Sequence, residues 1–127
     1  MSKLTAAMDI LYVEATNDTP KILLNQREGI FELSGRSLPE DSEMFYVPII
    51  EWVKEYAKAP NESTVFKFKL KYFNSSSSKL IFDLLDNLKP IKGIQVEWCY
   101  YKNDDDILDA GKEFEEGLSF PFSFKEI

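Results

Sequence analysis

Apolar positions recur along this chain with two periods, and the switches between them mark out the elements. From Ser63 to Phe73 the period is two: Phe66, Phe68, Leu70 and Tyr72 alternate with Lys67, Lys69 and Lys71. Successive side chains of a strand point to opposite faces, so this run predicts a strand packed on one side and wetted on the other. Ile94 to Tyr101 alternates again, with Ile94, Val96, Trp98 and Tyr100 inward and Gln95, Glu97 and Cys99 outward. Between the two, Ile81, Leu84, Leu85 and Leu88 recur at helical spacing and predict a helix that follows a serine run and ends near Leu88. Strand, helix and strand within about forty residues make a βαβ unit, whose strands are parallel and whose crossover is right-handed. Glu97 is then expected to face an outward lysine across the ladder.

The same reading extends to both ends. Leu11–Glu14 and Lys21–Leu24 read as short strands divided by the turn formers Thr16-Asn17-Asp18-Thr19-Pro20. Asn25 to Gly29 makes a hairpin loop into Ile30–Leu33, with Gly29 at a positive-φ corner. Ser34 to Glu43 reads as a polar connection. A first helix is predicted from about Ser42 to Lys58, with Phe45, Ile49, Trp52, Val53 and Tyr56 on one face. Pro48 argues that its regular part starts late. Asn103–Gly117 reads as an acidic third helix, and Phe120, Phe122 and Phe124 as one face of an edge strand announced by Pro121. The expected fold is α/β, a single domain over residues 1–127, with a mixed β-sheet and about three helices packed mainly on one face.

Composition narrows what such a domain does. The 127 residues are 44% apolar and carry 15 Lys and Arg against 22 Asp and Glu, a net charge of −7. That charge argues against a nucleic-acid partner and against a polybasic membrane anchor. There is no histidine, and the single Cys99 has no partner for an internal disulfide. Imidazole catalysis and the usual zinc sites are therefore out of reach, and no cofactor or metal is expected. Met1 to Val13 lacks signal-peptide character and no apolar run approaches a membrane span, so the default compartment is the cytoplasm.

Phe73-Asn74-Ser75-Ser76-Ser77-Ser78-Lys79 is the most informative stretch, because it joins a buried strand to a helix N-terminus. Unpaired N–H groups and the helix dipole favour an anion there, and a phosphorylated serine would bring one. The plainer reading is that Asn74 or Ser75 caps the helix and the other serines are solvated. Four consecutive serines exceed the needs of a cap. Asp104 to Gly117 holds seven acids and one lysine, but no register satisfies a calcium-binding EF-hand loop, so it reads as a solvated helix face. Glu40 and Asp41 read as cap and dipole residues, Cys99 as unreactive, and Trp52 and Trp98 as core. No catalytic set emerges. The residues suit a binding or switch module better than an enzyme.

Several segments together resemble the SiaC-type biofilm-regulation phosphoproteins of bacteria. They are Thr19-Pro20, Gly35-Arg36-Ser37-Leu38-Pro39-Glu40-Asp41-Ser42, Ile50-Glu51-Trp52-Val53, Tyr72-Phe73-Asn74-Ser75-Ser76-Ser77 and Ser119-Phe120-Pro121-Phe122. The resemblance implies a STAS-like fold and a non-catalytic, phosphorylation-controlled partner protein. It implies three partners: a dedicated protein kinase, a PP2C-type phosphatase, and a diguanylate cyclase that the unphosphorylated form activates, favouring biofilm growth through cyclic di-GMP. The family's phosphorylated Thr falls on Ser75, with Ser76 the alternative. A partner-binding surface is expected at Asn74, Ser75, Ser76 and Ser77, joined by Arg36, Ser37 and Glu40. Two rivals stay open: an anti-sigma-factor-antagonist-like module that binds a kinase-type anti-sigma factor, and a small-molecule-binding domain.

Overall fold

The computed structural model of the chain describes residues 7–127. Six strands form one sheet in chain order: β1 (Leu11–Val13), β2 (Lys21–Asn25), β3 (Ile30–Ser37), β4 (Thr64–Phe73), β5 (Ile94–Tyr100) and β6 (Phe122–Glu126). The first two pairings are antiparallel hairpin contacts, and β3 to β6 run parallel. Each parallel step is made by a helix: α1 (Ser42–Tyr56), α2 (Ser75–Leu88) and α3 (Asp105–Leu118). The expected α/β architecture and the βαβ unit both hold, and the helices share one face of the sheet.

Alternation explains why the core lies there. Ile22, Leu24, Phe31, Leu33, Phe66, Phe68, Val96 and Trp98 all point to the helix side and are buried against Ile49, Val53, Ile81, Leu84 and Leu85. At α3, Gly111 lets the helix come close: a Cβ on it would lie 2.5 Å from the Trp98 ring, whose Nε1 donates to the Ile107 carbonyl at 2.8 Å. Glu97 stands opposite Lys67 in the ladder as expected, while the ion pair on that face joins Lys69 to Glu32 at 3.2 Å.

Several details correct the sequence reading. Strand β3 continues through Ser37, so Ser34 to Ser37 is not part of a polar connection. Opposite it, β4 carries a bulge: Gly35 pairs with Leu70, but Arg36 pairs with Tyr72, which makes Lys71 the extra residue. Gly35 meets this with φ +110°, a conformation L side chains rarely adopt. The bulge turns Tyr72 outward, 47% exposed with Arg36 stacked over its ring, and Phe73 takes the inward place against Trp98 and Phe114. In α1 the buried line is Tyr46, Ile49, Ile50, Val53 and Tyr56, with Phe45 and Trp52 at its half-buried margin. Pro48 sits inside that helix, which is regular from Ser42. Pro48 is exposed, as is Met44, the residue whose carbonyl it leaves without an N–H partner. Lys67 and Lys69 are half-buried rather than freely solvated. Cys99 is on the open face but only 1% exposed. Burial pushes its thiol pKa up, and the neighbouring Glu97 carboxylate adds to the rise. Among the described residues, no helix is long and apolar enough to cross a membrane.

Candidate functional site

The three helices start at the carboxyl ends of β3, β4 and β5, the end where open α/β sheets place their sites. The first turns of α1 and α2 meet there. Asp41 caps α1 by accepting from the Met44 N–H at 3.0 Å. Asn74 caps α2 by accepting from the Ser77 N–H at 2.9 Å, so the cap is Asn74 and Ser75 is the first helical residue. A short polar side chain before an apolar-periodic run makes such a cap, worth about 1 kcal/mol.

The four serines then separate by direction. Ser75 is exposed. Ser76 is also exposed, yet its hydroxyl is engaged: it donates to the Asn74 carboxamide oxygen at 3.1 Å and lies 2.7 Å from the Ser42 hydroxyl. Ser77 is 0% exposed. Its hydroxyl donates to the Ser37 carbonyl at 3.0 Å and accepts from the Ser37 hydroxyl at 2.9 Å. A serine has one proton to give, so the Tyr46 hydroxyl, bonded to the same Ser37 oxygen, is the donor there. The result is a buried chain from Tyr46 through Ser37 to Ser77, tying the end of β3 to the second turn of α1 and the first turn of α2. Burial pushes the Tyr46 pKa up to about 12, against a smaller lowering by the two serines. The Ser37 carbonyl also accepts the Asn74 N–H at 3.1 Å, so one residue anchors the α2 start twice.

The expected surface residues therefore divide. Asn74, Ser75 and Ser76 lie together at the α2 start, and Glu40 lies across a groove of about 560 Å³ that Ser42, Ser76, Lys79 and Leu80 also line. Four carboxylates face this groove, from Glu40, Asp41, Glu43 and Asp83, against the one Lys79 ammonium. Ser37 and Ser77 do not belong to the surface. Both hydroxyls are buried and satisfied inside, which corrects the expectation that they present themselves to a partner. Arg36 is exposed, but it points to the open face of the sheet, over Tyr72, with its Nε donating to the Asn17 carbonyl at 3.3 Å. Tyr46 and Ser42 were missed from sequence. Ser42 looked like a helix start and Tyr46 stood beside the apolar positions assigned to the helix face.

The segments that carried the family resemblance come together in part. The Thr16–Pro20 loop reaches the Gly35–Ser42 segment through the Leu38 N–H, which donates to the Asp18 carbonyl at 2.8 Å, and the Gly35–Ser42 segment meets Asn74 through the Ser37 carbonyl. Ser119-Phe120-Pro121-Phe122 lies at the opposite end of the sheet, since Phe122 pairs with Val96 near the start of β5. Among the described residues, no group of three or more His, Cys, Asp or Glu is placed to hold a metal ion.

Three comparisons bear on this arrangement. The chain is 28% identical over 122 residues to an uncharacterised protein of Pseudomonas aeruginosa strain UCBPP-PA14, covering 93% of this chain and 97% of the relative. It is similar to the crystal structure of apo-SiaC from Pseudomonas aeruginosa, with a TM-score of 0.83, 28% identity, and coverage of 93% and 99% of the two chains. It matches equally a chain of the crystal structure of the diguanylate cyclase SiaD in complex with its activator SiaC from the same organism, at a TM-score of 0.85 and 27% identity, covering 92% and 99%. The family model for the SiaC family regulatory phosphoproteins matches residues 13–127, which takes in every strand and helix but part of β1. The fold, the helix-start serines and these matches together place the chain in the SiaC family of regulatory phosphoproteins.

Proposed function

We propose that this chain is a non-catalytic partner switch in the cytoplasm whose unphosphorylated form binds and activates a diguanylate cyclase. In this reading a dedicated kinase phosphorylates Ser75 and a PP2C-type phosphatase restores the hydroxyl. The observation that carries it is the position of Ser75: exposed, first in α2, and outside the hydrogen bonds that engage Ser76 and bury Ser77. A kinase needs a free hydroxyl, and of the first three serines of α2 Ser75 offers it at the least structural cost. The likeness to a SiaC chain crystallised with the cyclase it activates supports the choice of effector class.

The switch follows from charge. An unmodified serine is a small neutral patch that a partner covers with little desolvation. A phosphate adds about −1.5 to −2 charges at that point. The groove beside it already holds a surplus of carboxylates, so the added charge finds one lysine, Lys79, one helical turn on. A partner without an arginine cluster is then disfavoured by a few kcal/mol, and each 1.4 kcal/mol is about tenfold in affinity.

The test is calorimetry against the diguanylate cyclase encoded in the same genome. Ser75→Ala is expected to bind like the wild type and to resist the kinase, and Ser75→Asp to bind about a hundredfold more weakly. Equal affinities for all three forms would remove Ser75 as the switch and pass the role to Ser76.

A further inference from the structure

Ser75 and Ser76 are adjacent, exposed and both in the first turn of α2, so exposure alone does not choose between them as phosphate acceptors. Ser77 is excluded by burial, and Ser78 lies half-buried further into the helix. The two exposed hydroxyls differ in what they touch. Among the described residues the Ser75 hydroxyl has no hydrogen-bond partner, whereas the Ser76 hydroxyl has two. Ser76 gives its one proton to the Asn74 carboxamide oxygen at 3.1 Å, so in the 2.7 Å contact the Ser42 hydroxyl is the donor and Ser76 the acceptor. Ser42 is firmly placed for this. It is buried at the start of α1, beside the Asp41 cap that accepts the Met44 N–H at 3.0 Å, and one turn on Tyr46 ties the same helix to Ser37.

We propose that Ser42 is a specificity-determining residue for the phosphorylation of this chain: by hydrogen-bonding Ser76 across the two helix starts, it confines the phosphate to Ser75. The inference rests on the partner-switch reading above and adds what selects one residue within the serine run. Ser42 acts through Ser76, as a positioning residue, and takes no part in the transfer itself.

Phosphoryl transfer makes two demands on a serine. Its oxygen uses a lone pair to form a bond to the γ-phosphorus of a nucleoside triphosphate, while the bond from that phosphorus to the β,γ-bridging oxygen breaks and the nucleoside diphosphate leaves. Its proton passes to a carboxylate base of the kinase. In Ser76 the proton is committed to Asn74 and a lone pair to Ser42, so both bonds are given up before the oxygen can attack. Ser75 gives up neither. Asn74 is not a separable selector, because its carboxamide also caps α2 through the Ser77 N–H. Ser42 is separable, since its contact with Ser76 is additional to the cap that Asp41 supplies to α1. A net hydrogen bond corresponds to about two- to tenfold in an equilibrium, and loss of the Ser42 hydroxyl releases Ser76 by about that factor.

The test expresses the full-length wild type, Ser42→Ala and Ser42→Thr in the native host and maps phosphoserine positions by electron-transfer mass spectrometry. Circular dichroism checks folding, and Ser42→Cys, a weak donor of similar volume, serves if Ser42→Ala does not fold. The wild type is expected to carry its phosphate on Ser75, with less than about a fifth on Ser76. In Ser42→Ala the ratio of phospho-Ser76 to phospho-Ser75 is expected to rise at least about threefold. Ser42→Thr keeps the hydroxyl and is expected to restore the wild-type ratio. A purely structural role for Ser42 would lower modification of both serines and leave their ratio unmoved. An unchanged ratio in folded Ser42→Ala, or a Ser42→Thr ratio equal to that of Ser42→Ala, overturns the selection by Ser42 while leaving Ser75 as the switch. Phosphate mainly on Ser76 in the wild type, or on no serine of α2 in any form, overturns both.

Discussion

The Ser77 hydroxyl donates to the Ser37 carbonyl at 3.0 Å, a contact between residues forty apart in the chain. It closes a buried chain of hydroxyls that begins at Tyr46. Removing one member leaves the others short of a partner inside the protein, and an unsatisfied buried group costs about 1–3 kcal/mol. Ser77→Ala is therefore expected to lose about that much stability in urea unfolding. Ser75→Ala, two residues away but exposed, is expected to change it by less than about 0.5 kcal/mol. Equal effects would mean the buried chain contributes nothing to the fold.

Tyr46 gives a pH signature. Its pKa is raised from 10.0 to about 12 in the folded state by burial. Folding thus favours the protonated phenol, so the full stability is present below pH 10 and is lost as pH rises through the folded value. The loss is on the order of 2–3 kcal/mol by pH 12, at about 1.4 kcal/mol per unit. Urea titrations from neutral pH upward are expected to show the decline, and a Tyr46→Phe variant to show a shallower one.

Gly111 faces Trp98 with no room for a methyl group. A Cβ there would stand 2.5 Å from the indole ring. Gly111→Ala gains up to about 1 kcal/mol of helix propensity, yet overpacking costs typically about 1–3 kcal/mol. Net destabilisation is expected, with a shifted Trp98 emission as α3 moves off the ring. A stabilised variant with unchanged fluorescence would contradict the close approach.

Phe68 and Lys69 are neighbours in sequence on opposite faces. Phe68 is fully buried, whereas Lys69 is half-buried beside Glu32. Truncation of Phe68 to Ala is expected to cost about 3–5 kcal/mol. Truncation of Lys69 to Ala is expected to cost less than about 1 kcal/mol, the range of a partly exposed ion pair. Chemical denaturation of the two variants reads both values.

Cys99 completes the set. Burial and Glu97 hold its thiol above its usual pKa, so the thiolate is scarce and shielded. Thiol-specific labelling at neutral pH is expected to be slow in the native protein and fast in denaturant. Rapid native labelling would place Cys99 at the surface.

Much of this protein was legible in the sequence because the rules involved are local. A period of two along Phe66, Phe68 and Leu70 and a helical period along Ile81, Leu84 and Leu85 are properties of neighbouring residues, and they set element type, order and inward face. A cap is local too, which is why Asn74-Ser75 marked the α2 start in the sequence, with the structure deciding that Asn74 is the cap and Ser75 the first helical residue. The tertiary structure decided what depends on residues distant in the chain. Tyr72 turns outward only because β3 advances one residue while β4 advances two, a mismatch that exists between strands and in neither alone. Ser77 is buried, and Ser76 engaged, because Ser37, Tyr46 and Ser42 arrive from other elements. The open face of the sheet has the same origin: Lys21, Lys67, Lys69 and Lys125 come to one side only when pairing lays their strands next to one another.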